Sequence, residues 1–121
     1  IEEKEQRWEE VRMEGAELTV VAFGSAARAA LDAVHLARAE GMKVGLIRPV
    51  TLWPFPKKAF SRLRRSTKAF LDVEMNAGQM QEDLERVVGP DFPIYHLGQG
   101  GGKIIYPDEV FEEIKKLIKN I

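Results

Sequence analysis

Few residues in this chain have the type and spacing to do chemistry. Gly24-Ser25 closes one apolar run, and Asn76-Ala77-Gly78-Gln79 follows shortly after another. Turns of that kind at the carboxyl ends of parallel strands offer free backbone N–H groups and the positive end of a helix to an anion. Ser25, Asn76, Gly78 and Gln79 are therefore the candidate anion-binding residues. Asn76 and Gln79 also have the N-cap to N3 spacing of a capping box, which accounts for them without any ligand. The run Gly98-Gln99-Gly100-Gly101-Gly102-Lys103 has the glycines of a phosphate loop but not its chemistry. Its glycine–lysine spacing is one residue short, Ile104 stands where a hydroxyl would hold magnesium, and the residues up to Pro107 do not open a helix. It reads as a mobile glycine loop packed against a partner. Of the two histidines, His35 lies on a polar helix face three residues after Asp32, and His96 sits in an apolar strand. Neither has a second histidine, a nucleophile or metal-ligand spacing beside it, so His35 reads as exposed and His96 as a hydrogen-bonded structural residue. With no cysteine there is no thiolate nucleophile, disulfide or thiolate metal site. The residues by themselves assign no catalytic group, no cofactor-binding group and no metal ligand.

Two other groups suit contacts more than catalysis. Trp53 and Phe55 are large rings set among Pro49, Pro54 and Pro56 on an irregular segment. They serve either as an anchor against another domain or subunit, with Arg48 beside them, or as part of this domain's own core. Lys57, Lys58, Arg62, Arg64, Arg65 and Lys68 form a dense basic group, either a solvated helix face or a surface for an acidic partner or a phosphorylated molecule such as coenzyme A.

The elements that must position these residues are those of one small domain. A chain of 121 residues, 45% hydrophobic, supports a single core and not two. Its 18 basic and 19 acidic side chains leave a formal charge of -1, which gives no global attraction to nucleic acid or to an anionic membrane. No apolar run approaches the roughly 20 residues that cross a bilayer. Absence of cysteine fits a cytoplasmic setting. The charged start at Ile1, without methionine, reads as an excised piece of a longer polypeptide or a processed end.

Residues 1–16 read as a charged linker or edge strand from a preceding domain, and residues 17–121 as the domain proper. Leu18–Phe23 is a continuous apolar run of the type covered on both faces, followed by an alanine-rich helix that ends at Gly41. Lys43–Arg48 is the second strand, and Pro49–Pro56 a stiff turn that cannot extend the sheet. A helix over Lys57–Arg65, a strand over Lys68–Val73, a helix from near Asn76, a strand over Pro93–Leu97 and an amphipathic helix from Pro107 complete the chain. Four alternations of strand and helix predict a three-layer α/β/α fold with a mostly parallel sheet of four to five strands.

Three blocks then carry a resemblance. Ala22-Phe23-Gly24-Ser25-Ala26-Ala27-Arg28, the run from Val44 through Arg48-Pro49-Val50-Thr51-Leu52-Trp53-Pro54-Phe55-Pro56, and Val73-Glu74-Met75-Asn76-Ala77-Gly78-Gln79 resemble the carboxy-terminal domain of the α subunit of 2-oxoacid:ferredoxin oxidoreductases. The ending, Gly100-Gly101-Gly102 and then Pro107-Asp108-Glu109, is similar too, so the likeness runs from about Ala16 onward. It implies a transketolase C-terminal-like fold in which an antiparallel edge strand from around Trp8–Met13 joins the sheet. It further implies a complex that oxidatively decarboxylates a 2-oxoacid to an acyl-coenzyme A and reduces ferredoxin, with thiamine diphosphate, magnesium and iron-sulfur clusters. Those cofactors would bind outside this chain, leaving it an inactive assembly domain whose partners are the other domains and subunits. Two alternatives stay open: an autonomous anion- or nucleotide-binding module, and the equivalent domain of a 2-oxoacid dehydrogenase or transketolase.

Overall fold

The computed structural model describes residues 8–22, 24, 26–49, 67–74, 79–90, 92–98 and 104–121. Among the described residues, five strands and three helices follow in order: β1 (Trp8–Val11), β2 (Leu18–Ala22), α1 (Ala26–Ala39), β3 (Val44–Pro49), β4 (Ala69–Val73), α2 (Gln79–Val88), β5 (Ile94–Leu97) and α3 (Pro107–Ile118). The sheet order is β1-β3-β2-β4-β5, with β1 antiparallel to β3 and every other pair parallel. This is the expected mixed α/β/α architecture, edge strand included.

Each residue of β2 and β4 is buried, because both faces of these central strands are covered. Side chains alternate between two cores. On one face Val20, Ala22, Leu46, Leu71 and Val73 pack with Ala30, Ala33, Val34 and Ala37 of α1 and with Val110, Ile114 and Leu117 of α3. On the other, Val21, Ile47 and Phe70 pack with Leu84 and Val88 of α2, and with Trp8, Phe92 and Ile94. The alanines of α1 bring its backbone close to the sheet, while Arg28, Asp32 and His35 face solvent. Gly41, at φ 88°, ends α1: its N–H donates to Arg38 O and that of Met42 to Ala37 O, closing a Schellman turn. α3 starts at Pro107, and Glu109 accepts a hydrogen bond from the Tyr106 N–H at 3.1 Å.

Arg38, in the last turn of α1, ties this helix to the sheet edge. Its guanidinium donates to Val44 O (2.8 Å), Arg12 O (2.6 Å) and Glu14 O (2.7 Å), so the β1–β2 connection is held by one side chain. At the amino end of the sheet the buried hydroxyls of Thr19 and Thr67 lie 2.8 Å apart, and Thr67 donates to Ala16 O.

Pro49 departs from expectation. It is the buried last residue of β3, opposite Trp8, instead of the first residue of a turn outside the sheet. Proline loses a donor but keeps its carbonyl, so the end of a ladder tolerates it. The Trp53 and Phe55 turn, the basic helix expected over Lys57–Arg65, and the Asn76–Gln79 capping box lie outside the described residues.

Candidate functional site

The chain passes from one side of β2 to the other between β3 and β4, so the crevice at the carboxyl ends of β2 and β4 is the topological switch point. These strands are direct neighbours, with Val21 opposite Asp72 and Ala22 opposite Val73. On the far side of β4, Asp72 pairs in register with His96 of β5. Asp72 and Glu74 are two residues apart on an extended segment, so their side chains share the face that also carries His96. The result is a cluster of two carboxyl groups and an imidazole, one potential ligand atom of each lying within 4.8 Å of the others.

The cluster is mostly buried. Asp72 is fully buried and Glu74 5% exposed; the His96 side chain keeps 26% of its surface. His96 Nδ1 stands 2.8 Å from Asp72 Oδ2, a separation that requires a proton between them, on the ring or on the carboxyl. The other Asp72 oxygen, Oδ1, is buried without a hydrogen-bond partner among the described residues. Burial above all, and then the hydrogen bonding and negative charge of Glu74, push the Asp72 carboxyl up to about 9. Asp72 is thus held protonated at neutral pH.

Gly98 closes the cluster from the β5 side. Its φ is 152°, and a Cβ on it would stand 1.9 Å from Glu74 O. The Glu74 N–H donates to Leu97 O at 3.2 Å, so the two strand ends are clamped together just beyond His96 and Asp72. The first residue of the glycine run is therefore a packed contact within the domain and not part of a loose loop.

A pH dependence with a definite sign follows. The folded value of Asp72, about 9, lies above the unfolded value near 3.8. The folded state holds this proton more tightly, so the stability it contributes is complete below about pH 3.8 and is lost as pH rises through about 9. Asp72→Asn keeps the shape of the neutral acid and removes the titration. In chelator-containing buffer, urea midpoints at pH 5 and pH 8.5 should differ less for Asp72→Asn than for the parent chain, and equal differences would refute the assignment.

Of the sequence-predicted site residues, Arg48 alone has a described side chain. It is exposed and paired with Glu9 at 2.6 Å across the β1–β3 edge. That pair lines a groove of about 350 Å³ with Val11, Leu46, Arg28 and Leu31. Ser25, Asn76, Gly78, Trp53 and Phe55, and the side chain of Gln79, fall outside the described residues. His96 makes the hydrogen bond expected of it, whereas Asp72 and Glu74 escaped notice. One signal was available, since Asp72 is the single charge in the apolar run Ala69-Phe70-Leu71-Asp72-Val73. A chain without cysteine supplies no thiolate to an iron-sulfur cluster.

Residues 16–110 match the family model described as pyruvate:ferredoxin oxidoreductase core domain II. The chain is 39% identical over 117 residues to the ketoisovalerate oxidoreductase subunit VorB of Methanothermobacter marburgensis, covering 97% of this chain and 33% of that subunit. It is 37% identical over 99 residues to the 2-oxoglutarate synthase subunit KorA of the same organism, covering 82% of this chain and 26% of that one. It therefore spans about a third or less of these relatives' own length. Among solved structures, the 2-oxoglutarate:ferredoxin oxidoreductase from Magnetococcus marinus, with 2-oxoglutarate, coenzyme A and succinyl-CoA bound, superposes with a TM-score of 0.79 at 25% identity, covering 93% of this chain and 20% of that chain. A split-gene transketolase, an inactive β4 tetramer, shares the fold with a TM-score of 0.76 at 22% identity, covering 93% and 41%. With its sheet, from β2 to the start of α3, inside the matched span, the chain belongs to the pyruvate:ferredoxin oxidoreductase core domain II family.

Proposed function

We propose that this chain is a non-catalytic assembly domain in the α subunit of a thiamine-dependent 2-oxoacid:ferredoxin oxidoreductase. The complex as a whole would oxidise a 2-oxoacid to its acyl-coenzyme A and pass the electrons to ferredoxin. What carries this reading is the family match joined to relatives that are themselves oxidoreductase subunits, of which this chain spans only a part. The site chemistry supports it. The one His/Asp/Glu cluster among the described residues is mostly buried at the sheet end, with no described nucleophile in it. Thiamine diphosphate, magnesium and iron-sulfur clusters would then sit in other parts of the complex.

Assembly needs surface, and the described residues leave Leu36, Tyr95, Ile104 and Tyr106 exposed. These, with Trp53 and Phe55, are the apolar side chains a neighbouring subunit would cover. Among the described residues no helix is long and apolar enough to cross a membrane. The isolated chain, given a 2-oxoacid, coenzyme A, thiamine diphosphate and a viologen dye, should show no dye reduction above the protein-free control. When added to the remainder of its complex lacking this domain, it should restore dye reduction. Turnover by the chain alone, or no restoration despite a folded chain, would overturn the proposal.

A further inference from the structure

We infer that Asp72, Glu74 and His96 form a site for one divalent metal ion of borderline softness, Mn²⁺ or Zn²⁺, at the carboxyl ends of β4 and β5. The three ligands come from two adjacent strands whose register places Asp72 directly beside His96, so the site is built by the sheet itself.

Three observations point the same way. First, the donor set is mixed. Two carboxyl groups alone suit magnesium or calcium, whereas a neutral imidazole beside them moves preference toward Mn²⁺ and Zn²⁺. Secondly, the spacing is close to that of a coordination sphere. Ligands about 2.1 Å from one ion stand about 3.0–3.4 Å apart when adjacent and no more than about 4.2 Å when opposite. No separation in the trio exceeds 4.8 Å, about half an ångström beyond that limit, and Asp72 Oδ2 and His96 Nδ1 are 2.8 Å apart. Thirdly, Asp72 Oδ1 is fully buried and without a partner among the described residues, a condition that natural interiors rarely leave uncorrected. It belongs to the same carboxyl group whose Oδ2 faces His96, and a bound cation would satisfy it in exchange for the proton that the carboxyl otherwise holds, which leaves to solvent. The partly exposed edge of His96 leaves a route for entry and for a water ligand.

This inference is independent of the assembly reading, and its test uses no enzyme activity. The 121-residue chain, stripped with chelator and dialysed, is titrated calorimetrically with MnCl₂ and with ZnCl₂. Pulsed electron paramagnetic resonance of the Mn²⁺-loaded chain then looks for ¹⁴N coupling. One ion should bind per chain with imidazole nitrogen coupling, and Asp72→Asn and His96→Gln should each weaken binding at least about tenfold. His35→Gln and Glu9→Gln should leave affinity unchanged. Circular dichroism accompanies each variant, and if Asp72→Asn does not fold, His96→Gln and the ¹⁴N signal in the parent chain carry the comparison. No saturable binding, binding without nitrogen coupling, or undiminished affinity in a folded His96→Gln chain would each overturn the site.

Discussion

Phe70→Ala should destabilise the domain by about 3–5 kcal/mol, lowering its melting midpoint by roughly 10–20 °C. Phe70 is 2% exposed and is the largest fully buried side chain among the described residues. Among the described residues it packs with Val21 and Ile47 of the sheet and with Leu84 and Val88 of α2. Its ring meets Phe92 edge to face, with centroids 5.6 Å apart and planes at 75°, a geometry that adds to the area term. Closely packed neighbours collapse only in part into the void left by a ring, so a cavity cost adds to the lost transfer free energy. Phe92 is only partly buried, and Phe92→Ala should cost less than half as much. Chemical denaturation of the two variants measures both values, and a Phe70→Ala loss below about 1 kcal/mol would mean that α2 does not pack on this face.

Gly98→Ala should be the second most damaging of the substitutions considered, at about 2–4 kcal/mol. Two costs combine there: the φ of 152° disfavours any side chain, and the added methyl would stand 1.9 Å from Glu74 O and 3.0 Å from Glu74 C. Backbone cannot rotate aside, so β5 must separate from β4. Gly41 separates the two contributions, since it has φ 88° with nothing within 4 Å of a Cβ. Gly41→Ala should therefore show strain alone, about 1 kcal/mol. Hydrogen exchange locates the damage. The Glu74 amide, which donates to Leu97 O beside the glycine, should lose protection in Gly98→Ala, while the Phe70 amide, bonded to Pro93 O at the other end of the pair, should keep it. Equal losses at both amides, or equal costs for the two glycine variants, would show that the clamp is not local. Since His96 lies two residues before Gly98, the same variant should also disturb the Asp72–His96 contact.

Several features were legible along the chain because they depend on near neighbours. Leu18–Ala22 announces a strand covered on both faces by its apolar run, and α3 announces itself by Val110, Ile114 and Leu117 at helical spacing. Gly41 marks the end of α1 through its left-handed φ. Pro49 misled, since a residue without an N–H looks like a break until a neighbouring strand is seen to need only its carbonyl. The anion-site reading rested on turn chemistry at Ser25 and Asn76, and the strand ends nearby carry carboxyl groups that those turns did not advertise.

From its order of residues alone, then, the order of the described elements and the α/β layering followed, because helix period, strand hydrophobicity and turn residues act over a few positions, and the family likeness lay in three blocks of resembling sequence. Strand order, the pairing of Asp72 with His96, the reach of Arg38 to three carbonyls and the clamp at Gly98 were decided only by the tertiary structure. Register between strands sets which distant side chains meet, and burial in that register turns an ordinary aspartate into a carboxyl group that keeps its proton at neutral pH.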